Sequence, residues 1–421
     1  MSDKKIKILT LGDMPLSPSG VGIQTKYMIN ALLKSGKFKV ISLGGAIKHK
    51  EYTPMKTNEW GEDWIIFPID GYGNPDIIRS IIRNEKPDVF WFMTDPRFYE
   101  WLWDIENEIR PLVPMVYYHV WDNYPYPKFN KVFYSSNDVI ATISKVTDDI
   151  VANVTPDVDR VYIPHAVDSD VFKLFSEEDV KKLRKENFED DENDKFLFFW
   201  NNRNARRKMS GSLVWWFKEF LDIVGHDNAR LIMHTDPYDP NGPNLDIMIR
   251  ELGIDKGEIM FSRAKVEPSH LAAMYNMADC TVNVADAEGF GLSTLESLSC
   301  GTPIVVNMTG GLQEQVTDGE NWFGIGIEPA SRAVIGSQQV PFIFEDRVSK
   351  QDFINALLKI YNTPKKERDE MGQKGRQHVI KNYSFETFEK QWVDTLIRIN
   401  KQCGSWENRK QYSSWTFKEV A

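Results

Sequence analysis

The sequence predicts an α/β protein of two domains, each a mostly parallel sheet flanked by helices, facing one another across a central cleft. Three observations carry the prediction. Short apolar runs alternate with segments of helical spacing along both halves of the chain, the pattern of repeated β-α-β units. One charged tract, SEEDVKKLRKENFEDDENDK at 176–195, interrupts the alternation and reads as exposed helix and loop. The chain has 421 residues, against roughly 100–200 for a single domain.

In the first half, KIKILTLGD at 5–13 reads as a short buried strand, followed by a helix over GIQTKYMINALLKSG that a glycine closes. Further strands are expected at FKVISLGG, DWIIFPI, PDVFWFMT, PMVYYHV and DVIATIS, with helices over PDIIRSIIRNEK and YEWLWDIENEIR. After VYIPHAVDSDVF at 161–172 and the charged tract, strands restart at FLFFWNN, ARLIMHT, EIMFS, CTVNVAD and PIVVN, with helices over SHLAAMYNMA and GLSTLESLSC. The amphipathic segment SFETFEKQWVDTLIRIN is expected to cross back and brace the first domain. The expected divisions are 1–168, 169–385 and a C-terminal helix within 386–421.

Composition narrows the function classes. Hydrophobic residues make up 42% and charged residues 27% of the chain, the balance of a soluble globular protein rather than a disordered one. A formal net charge of -10 supplies no global positive field for nucleic acid or anionic lipid. The N-terminal apolar run is too short for a signal peptide, and no stretch approaches the roughly 20 apolar residues of a membrane span, so a cytoplasmic protein is expected. The three cysteines, Cys280, Cys300 and Cys403, lack CxxC spacing, against both a disulfide framework and a zinc site.

Ligands of open α/β sheets bind beyond the carboxyl ends of the strands, which directs attention to four loops. Gly20 and Gly22 in LSPSGVGIQTKYM sit between strand and helix, where amides can approach an anion; a plain tight turn explains them as well. Arg203 and Lys208 in WNNRNARRKMSG bracket a cationic cluster able to hold a diphosphate, though a solvated basic loop has the same composition. In DAEGFGLSTLESLSC, Gly289 and Gly291 allow a turn after a strand, Phe290 packs or walls a pocket, and Glu296 falls in the second turn of the next helix. A carboxylate there can accept from two neighbouring hydroxyls, as a ribose presents them, or simply face solvent. His119 in YYHVWDNYP ends a strand, with Asp122 either orienting it or capping a turn.

These pieces, in this order, resemble the retaining, nucleotide-sugar-dependent glycosyltransferases of family four, which have the GT-B fold. The likeness spans nearly the whole chain. Its most specific part is EGFGLSTLESLSCGTPIVVNMTGGLQEQVTDG, with the two glutamates separated by seven residues and the downstream G-T-P, G-G and E landmarks. RNARRK fits the family's Arg, four residues, Lys pair. The chain departs from the family where NVADAEGFG lacks the common Pro-Ser and where IPHAVD stands for Pro-Asn-Gly-Val-Asp.

The resemblance implies two Rossmann-like domains, an acceptor-side one first and a donor-binding one second, and a nucleoside-diphosphate sugar as co-substrate. It implies that Arg203 and Lys208 hold the donor diphosphate, that Gly20 and Gly22 lie near its phosphates, and that His119 and Glu288 contact the transferred sugar. It also implies that Glu296 binds the ribose and that the amides of Phe290, Gly291 and Leu292 touch phosphate or sugar. The family's same-face mechanism, in which the leaving phosphate takes the acceptor proton, leaves no general base to assign. Cationic side chains supply the charge a metal would, so no metal or other cofactor is expected; DSD at 168–170 belongs to the linker.

The acceptor is expected to be a glycan, a lipid or a small molecule. Two aromatic stretches, FWFMTDPRFYEWLWDIE and YYHVWDNYPYPKFN, also resemble phage enzymes that glycosylate hydroxymethylated bases in DNA, and aromatic rings can stack on sugars or bases or serve as core. Net charge weighs against a nucleic-acid acceptor. The competing readings are a GT-B epimerase or phosphorylase and a non-catalytic sugar-nucleotide-binding module.

Overall fold

The computed structural model describes residues 4–188 and 195–412. The acidic part of the charged tract, 189–194, lies outside them. Contacts divide the chain into two compact units: one runs to His165 and takes Gln338–Val340 and the chain from Glu386 on, and the other takes Ala166–Ser337 and Pro341–Phe385.

The first unit is built on strands β1 (Ile6–Asp13), β2 (Phe38–Gly45), β3 (Met55–Lys56), β4 (Trp64–Pro68), β5 (Val89–Met93), β6 (Met115–His119), β7 (Val139–Thr142) and β8 (Asp159–Tyr162). Their order is β3-β4-β2-β1-β5-β6-β7-β8, parallel throughout except for β3 against β4. Apolar runs such as VFWFM and MVYYH are buried at every position, because helices cover both faces of a parallel sheet. Six of these strands coincide with the expected runs; β3 and β8 do not announce themselves. The helix expected over YEWLWDIENEIR is two short ones, Glu100–Trp103 and Glu106–Ile109, because Ile105 between them leaves helical geometry at φ -111, ψ 17.

The aromatic stretches of this unit supply much of its core, although Phe98 and Tyr126 are exposed. Trp91, Phe92, Tyr99, Tyr117, Tyr118 and Tyr134 have no exposed surface, and Phe92 stacks on Tyr117 at 5.0 Å. The C-terminal helix Phe385–Cys403 buries Phe388, Trp392, Leu396 and Ile399. Trp392 meets Tyr118 edge-on at 4.9 Å and Trp91 at 5.9 Å, so this helix completes the first unit's core.

The second unit holds β9 (Phe196–Asn201), β10 (Ala229–His234), β11 (Ile259–Ser262), β12 (Cys280–Asn283), β13 (Ile304–Asn307) and β14 (Gly324–Ile327), ordered β11-β10-β9-β12-β13-β14 and parallel throughout. Phe198, Trp200, Phe217, Phe220 and Val282 centre its core. A separate antiparallel hairpin follows, β15 (Ser331–Ile335) with β16 (Ile343–Arg347). Chain order reverses between β9 and β12, the crevice where a ligand fits at the carboxyl edge of such a sheet. In the first unit the reversal lies between β1 and β5.

All three cysteines are buried free thiols. The Asp168 of DSD caps its own turn, its Oδ1 accepting from the amides of Asp170 and Val171 at 3.1 and 3.2 Å. Among the described residues, no helix is long and apolar enough to cross a membrane.

Candidate functional site

The two loops leaving the reversal point of the second sheet carry most of the expected site. After β9, Arg206–Lys208 form one turn of 3-10 helix, and Met209 then takes a left-handed conformation at φ 56, ψ 29 to start the helix Ser210–Val224. A bulky side chain tolerates that region only under constraint, and such strain gathers at functional sites. Asn204 anchors the loop, donating to the Pro243 carbonyl at 2.8 Å and accepting from Ser210 at 2.6 Å. The turn sinks Lys208, 8% exposed, onto the loop after β12.

There Lys208 Nζ forms a short ion pair with Glu288 Oε2. Glu288 also accepts from Asn283 at 3.5 Å and has Arg207 at 4.0 Å. Burial alone raises the Glu288 carboxyl, yet the charges of Lys208 and Arg207 and the hydrogen bonds from Lys208 and Asn283 outweigh it, so the group sits below its ordinary value. Lys208 is therefore no solvated loop lysine, and the Glu288 carboxylate is held in its charged form.

Arg203 stands apart from that pair. Its exposed side chain forks onto Asp239, with contacts of 2.6 and 3.3 Å, which raises the guanidinium and drives the Asp239 carboxyl well below the usual range. Arg207 donates to the Ala287 carbonyl at 2.6 Å.

The turn around Gly291 depends on glycine. Its φ of 93 lies in the left-handed region, and an added Cβ would stand 2.6 Å from Leu312 and 2.8 Å from Thr294. Gly291 caps the helix Leu292–Ser299 without a side-chain bond, and Leu295 is the first amide to bond back, to the Gly291 carbonyl at 3.1 Å. The amides of Leu292 and Ser293 thus lead the helix, where partial positive charge favours an anion. Phe290 turns its ring inward, 3% exposed, and packs 5.7 Å from Tyr383.

Glu296 is half-buried rather than an exposed helical carboxylate. Tyr275 donates to its Oε2 at 2.9 Å, while Asn201 at the end of β9 donates to the same tyrosine oxygen at 2.8 Å. Burial pushes the Glu296 carboxyl up to about 7 against the lowering effect of that hydrogen bond.

The first-unit residues fare differently. Gly20 begins the helix Gly20–Lys34 in an exposed position. The Gly22 amide is already spent on the Ser19 cap at 3.0 Å, and a Cβ there would meet Ser17 Oγ at 2.7 Å and the Met14 carbonyl at 2.8 Å. Gly22 is a packing glycine, not an anion donor. Ser19 and Tyr72 both donate to Asp13, at 2.5 and 3.0 Å, a carboxylate cluster that no spacing in the sequence signalled.

His119, expected to contact the transferred sugar, presents no exposed atom. Its Nε2 shares a hydrogen bond of 2.7 Å with the Tyr134 hydroxyl, rather than with Asp122, and Nδ1 is buried without a partner. The Tyr117 and Tyr134 rings, each 4.8 Å away, enclose it, and burial pushes it down to about 3. In this structure it is a neutral core histidine.

A second network bears on the same loops and was missed in the sequence because its members are 139 residues apart. Glu345 on β16, 2% exposed, takes a fork from Arg206 at 2.9 and 2.5 Å and a bond from Arg347 at 3.0 Å. Arg347 also donates to Asp286 at 2.5 Å, and the Asp346 amide bonds the Asp286 carbonyl at 2.9 Å. Burial lifts the Asp286 carboxyl to about 7 even though Arg347 opposes it. The hairpin strand therefore ties the loop after β9 to the loop after β12.

Residues 223–378 match the family model described as Glycosyl transferases group 1. The D-inositol 3-phosphate glycosyltransferase of Acidothermus cellulolyticus is 36% identical over 88 residues, which cover 20% of this chain and 20% of that protein. The alignment thus spans about a fifth of that relative's length. Among solved structures, sucrose-phosphate synthase from Thermosynechococcus elongatus matches with a TM-score of 0.75 at 15% identity, over 94% of this chain and 100% of that one. HepE of Anabaena, in complex with UDP and glucose, matches at 0.68 with 15% identity, over 93% and 100%. These likenesses show the fold: two Rossmann-like domains of the GT-B class.

Proposed function

We propose that this chain, whose residues 223–378 match the glycosyl transferases group 1 family model, moves a sugar from a nucleoside-diphosphate sugar to an acceptor hydroxyl, with retention at the anomeric carbon. The observation that carries the reading is Lys208, buried and ion-paired with Glu288 where the strand order of the second sheet reverses.

Loss of a diphosphate leaves an oxocarbenium-like centre and puts negative charge on the departing oxygens, so fixed cations and amide dipoles aimed there lower the barrier. Lys208 is the fixed cation, with Arg203 and Arg207 exposed nearby in the chain and the Gly291, Leu292 and Ser293 amides at the helix start. Glu288, kept ionised, accepts hydrogen bonds from hydroxyls of the donor sugar. Glu296 clamps the ribose. The acceptor oxygen attacks the face the diphosphate leaves, and the departing phosphate oxygen takes its proton. With these cations in place, transfer proceeds without a metal ion.

The acceptor is a hydroxyl of a glycan, a lipid or a small molecule. Support for a DNA base as acceptor is weaker, because the net charge of -10 opposes a polyanion and most of the large rings in the aromatic stretches that suggested it are buried. The test is product analysis with UDP-, GDP- and ADP-sugars and a panel of hydroxylated acceptors, following the anomeric configuration by NMR in the presence of EDTA. A glycosylated acceptor with unchanged configuration is expected. Epimerised or phosphorolysed donor without any glycosylated acceptor would overturn the proposal, and activity restored only by Mg²⁺ would overturn its metal independence.

A further inference from the structure

We infer that Tyr275 is a positioning residue for donor recognition, holding Glu296 in the rotamer that receives the ribose hydroxyls, with Asn201 as the group that aims the tyrosine hydroxyl. This rests on the reading of Glu296 as the ribose clamp.

Glu296 has a flexible side chain, and a carboxylate free to rotate would surrender entropy on every binding event. The structure removes that freedom from one side. Tyr275 has no exposed surface, and its ring is wedged edge-on to Phe199 at 5.0 Å. Its carbonyl is held by Thr302 Oγ1 at 2.7 Å, so ring and backbone are both fixed. The hydroxyl accepts from Asn201 at 2.8 Å, which leaves its single proton for Glu296 Oε2 at 2.9 Å.

Glu296 Oε1 has no partner among the described residues, and Oε2 retains a lone pair. Two acceptor directions therefore remain, the number that adjacent 2′ and 3′ hydroxyls require. The chain of donors runs from β9 through the helix Pro268–Met277 to the helix Leu292–Ser299. The carboxylate is thereby referenced to the same strand that delivers Lys208, which sets ribose and diphosphate in one frame.

The test is calorimetric titration of the wild type and of Tyr275→Phe, Asn201→Ala and Glu296→Ala with UDP, GDP and ADP and with their 2′-deoxy counterparts. Tyr275→Phe is expected to weaken the best-bound ribonucleotide about tenfold, since the freed Glu296 side chain must then be ordered at every binding event. The corresponding deoxynucleotide should lose much less, so that discrimination between the two narrows. Asn201→Ala, at a half-buried position, should give a smaller effect of the same ribose-dependent kind and stands in should Tyr275→Phe not fold. With the active donor, KM should rise and kcat hold. A packing role alone would weaken both nucleotides equally.

Equal ribonucleotide affinity in wild type, Tyr275→Phe and Asn201→Ala, while Glu296→Ala loses it, would overturn the positioning role and leave the clamp standing. Unchanged affinity in Glu296→Ala would overturn the clamp itself, and the inference with it.

Discussion

Lys208 and Glu288 lie 80 residues apart in sequence and touch in the fold. Removing one partner of a buried pair strands the other, so Lys208→Ala should lower stability by about 2 kcal/mol, the Arg207 and Asn283 contacts softening the larger loss seen for fully isolated charges. It should also cut turnover by about 10²-fold or more, the usual effect of deleting one electrostatic contact to a transition state. Urea denaturation and steady-state kinetics check these separately. The Glu288 carboxyl is lowered in the folded state. Its contribution to stability is present above the ordinary carboxylate value and disappears as pH falls through the lower folded one. Glu296 and Asp286 behave in the reverse sense. Both are lifted to about 7 by burial, so the folded state holds protons that the unfolded state has already released. Their effect is a decline in stability as pH rises from about 4 to about 7. Glu296→Gln should remove its share of that decline in a pH series of urea midpoints. Because the ribose clamp needs its charge, donor affinity should climb as pH passes upward through about 7.

At the scale of elements, what could be read in advance divides by burial. β5, β6 and β9 are buried on both faces and declare themselves as nearly continuous apolar runs. β8 has no fully buried position, β14 is two glycines and two isoleucines, and β15 is largely exposed; none has a face whose periodicity could announce it. The same division governs the site. Glycine turns and the Arg and Lys of RNARRK were legible because the motif is local, whereas Glu345, Asp13 and Tyr275 act through contacts that only the fold creates. His119 was legible as a position but not as an environment, since Tyr134 encloses it from another segment. Glu345 offers the sharpest element-level check. Glu345→Gln leaves Arg206 and Arg347 without their shared carboxylate. Their ends are partly exposed, so about 1–3 kcal/mol of stability should be lost rather than the full cost of a buried charge. Hydrogen exchange should quicken at 206–208 and 286–288 if β16 truly ties those loops together, and stay unchanged if the hairpin is an ornament.

At the scale of the whole molecule, two units of similar design carry different parts of the work. The first invests its aromatic residues in its core, and the C-terminal helix belongs to that core. Trp392→Ala should cost about 3–5 kcal/mol as a large-to-small change at a fully buried ring, measured by denaturant unfolding. The second unit gathers charge at the point where its strand order reverses. The central claim is that this charge binds a nucleoside diphosphate, and a thermal-shift series with UDP, GDP, ADP and their sugars tests it most directly. At a hundredfold excess over Kd, a ligand of the folded state adds about 2.7 kcal/mol, which raises the melting midpoint of a domain this size by about 5 °C or more. The account predicts such a rise with one nucleotide class in the wild type, and its loss in both Lys208→Ala and Glu296→Ala. A midpoint that no nucleotide moves, or a shift that survives both substitutions, would contradict it.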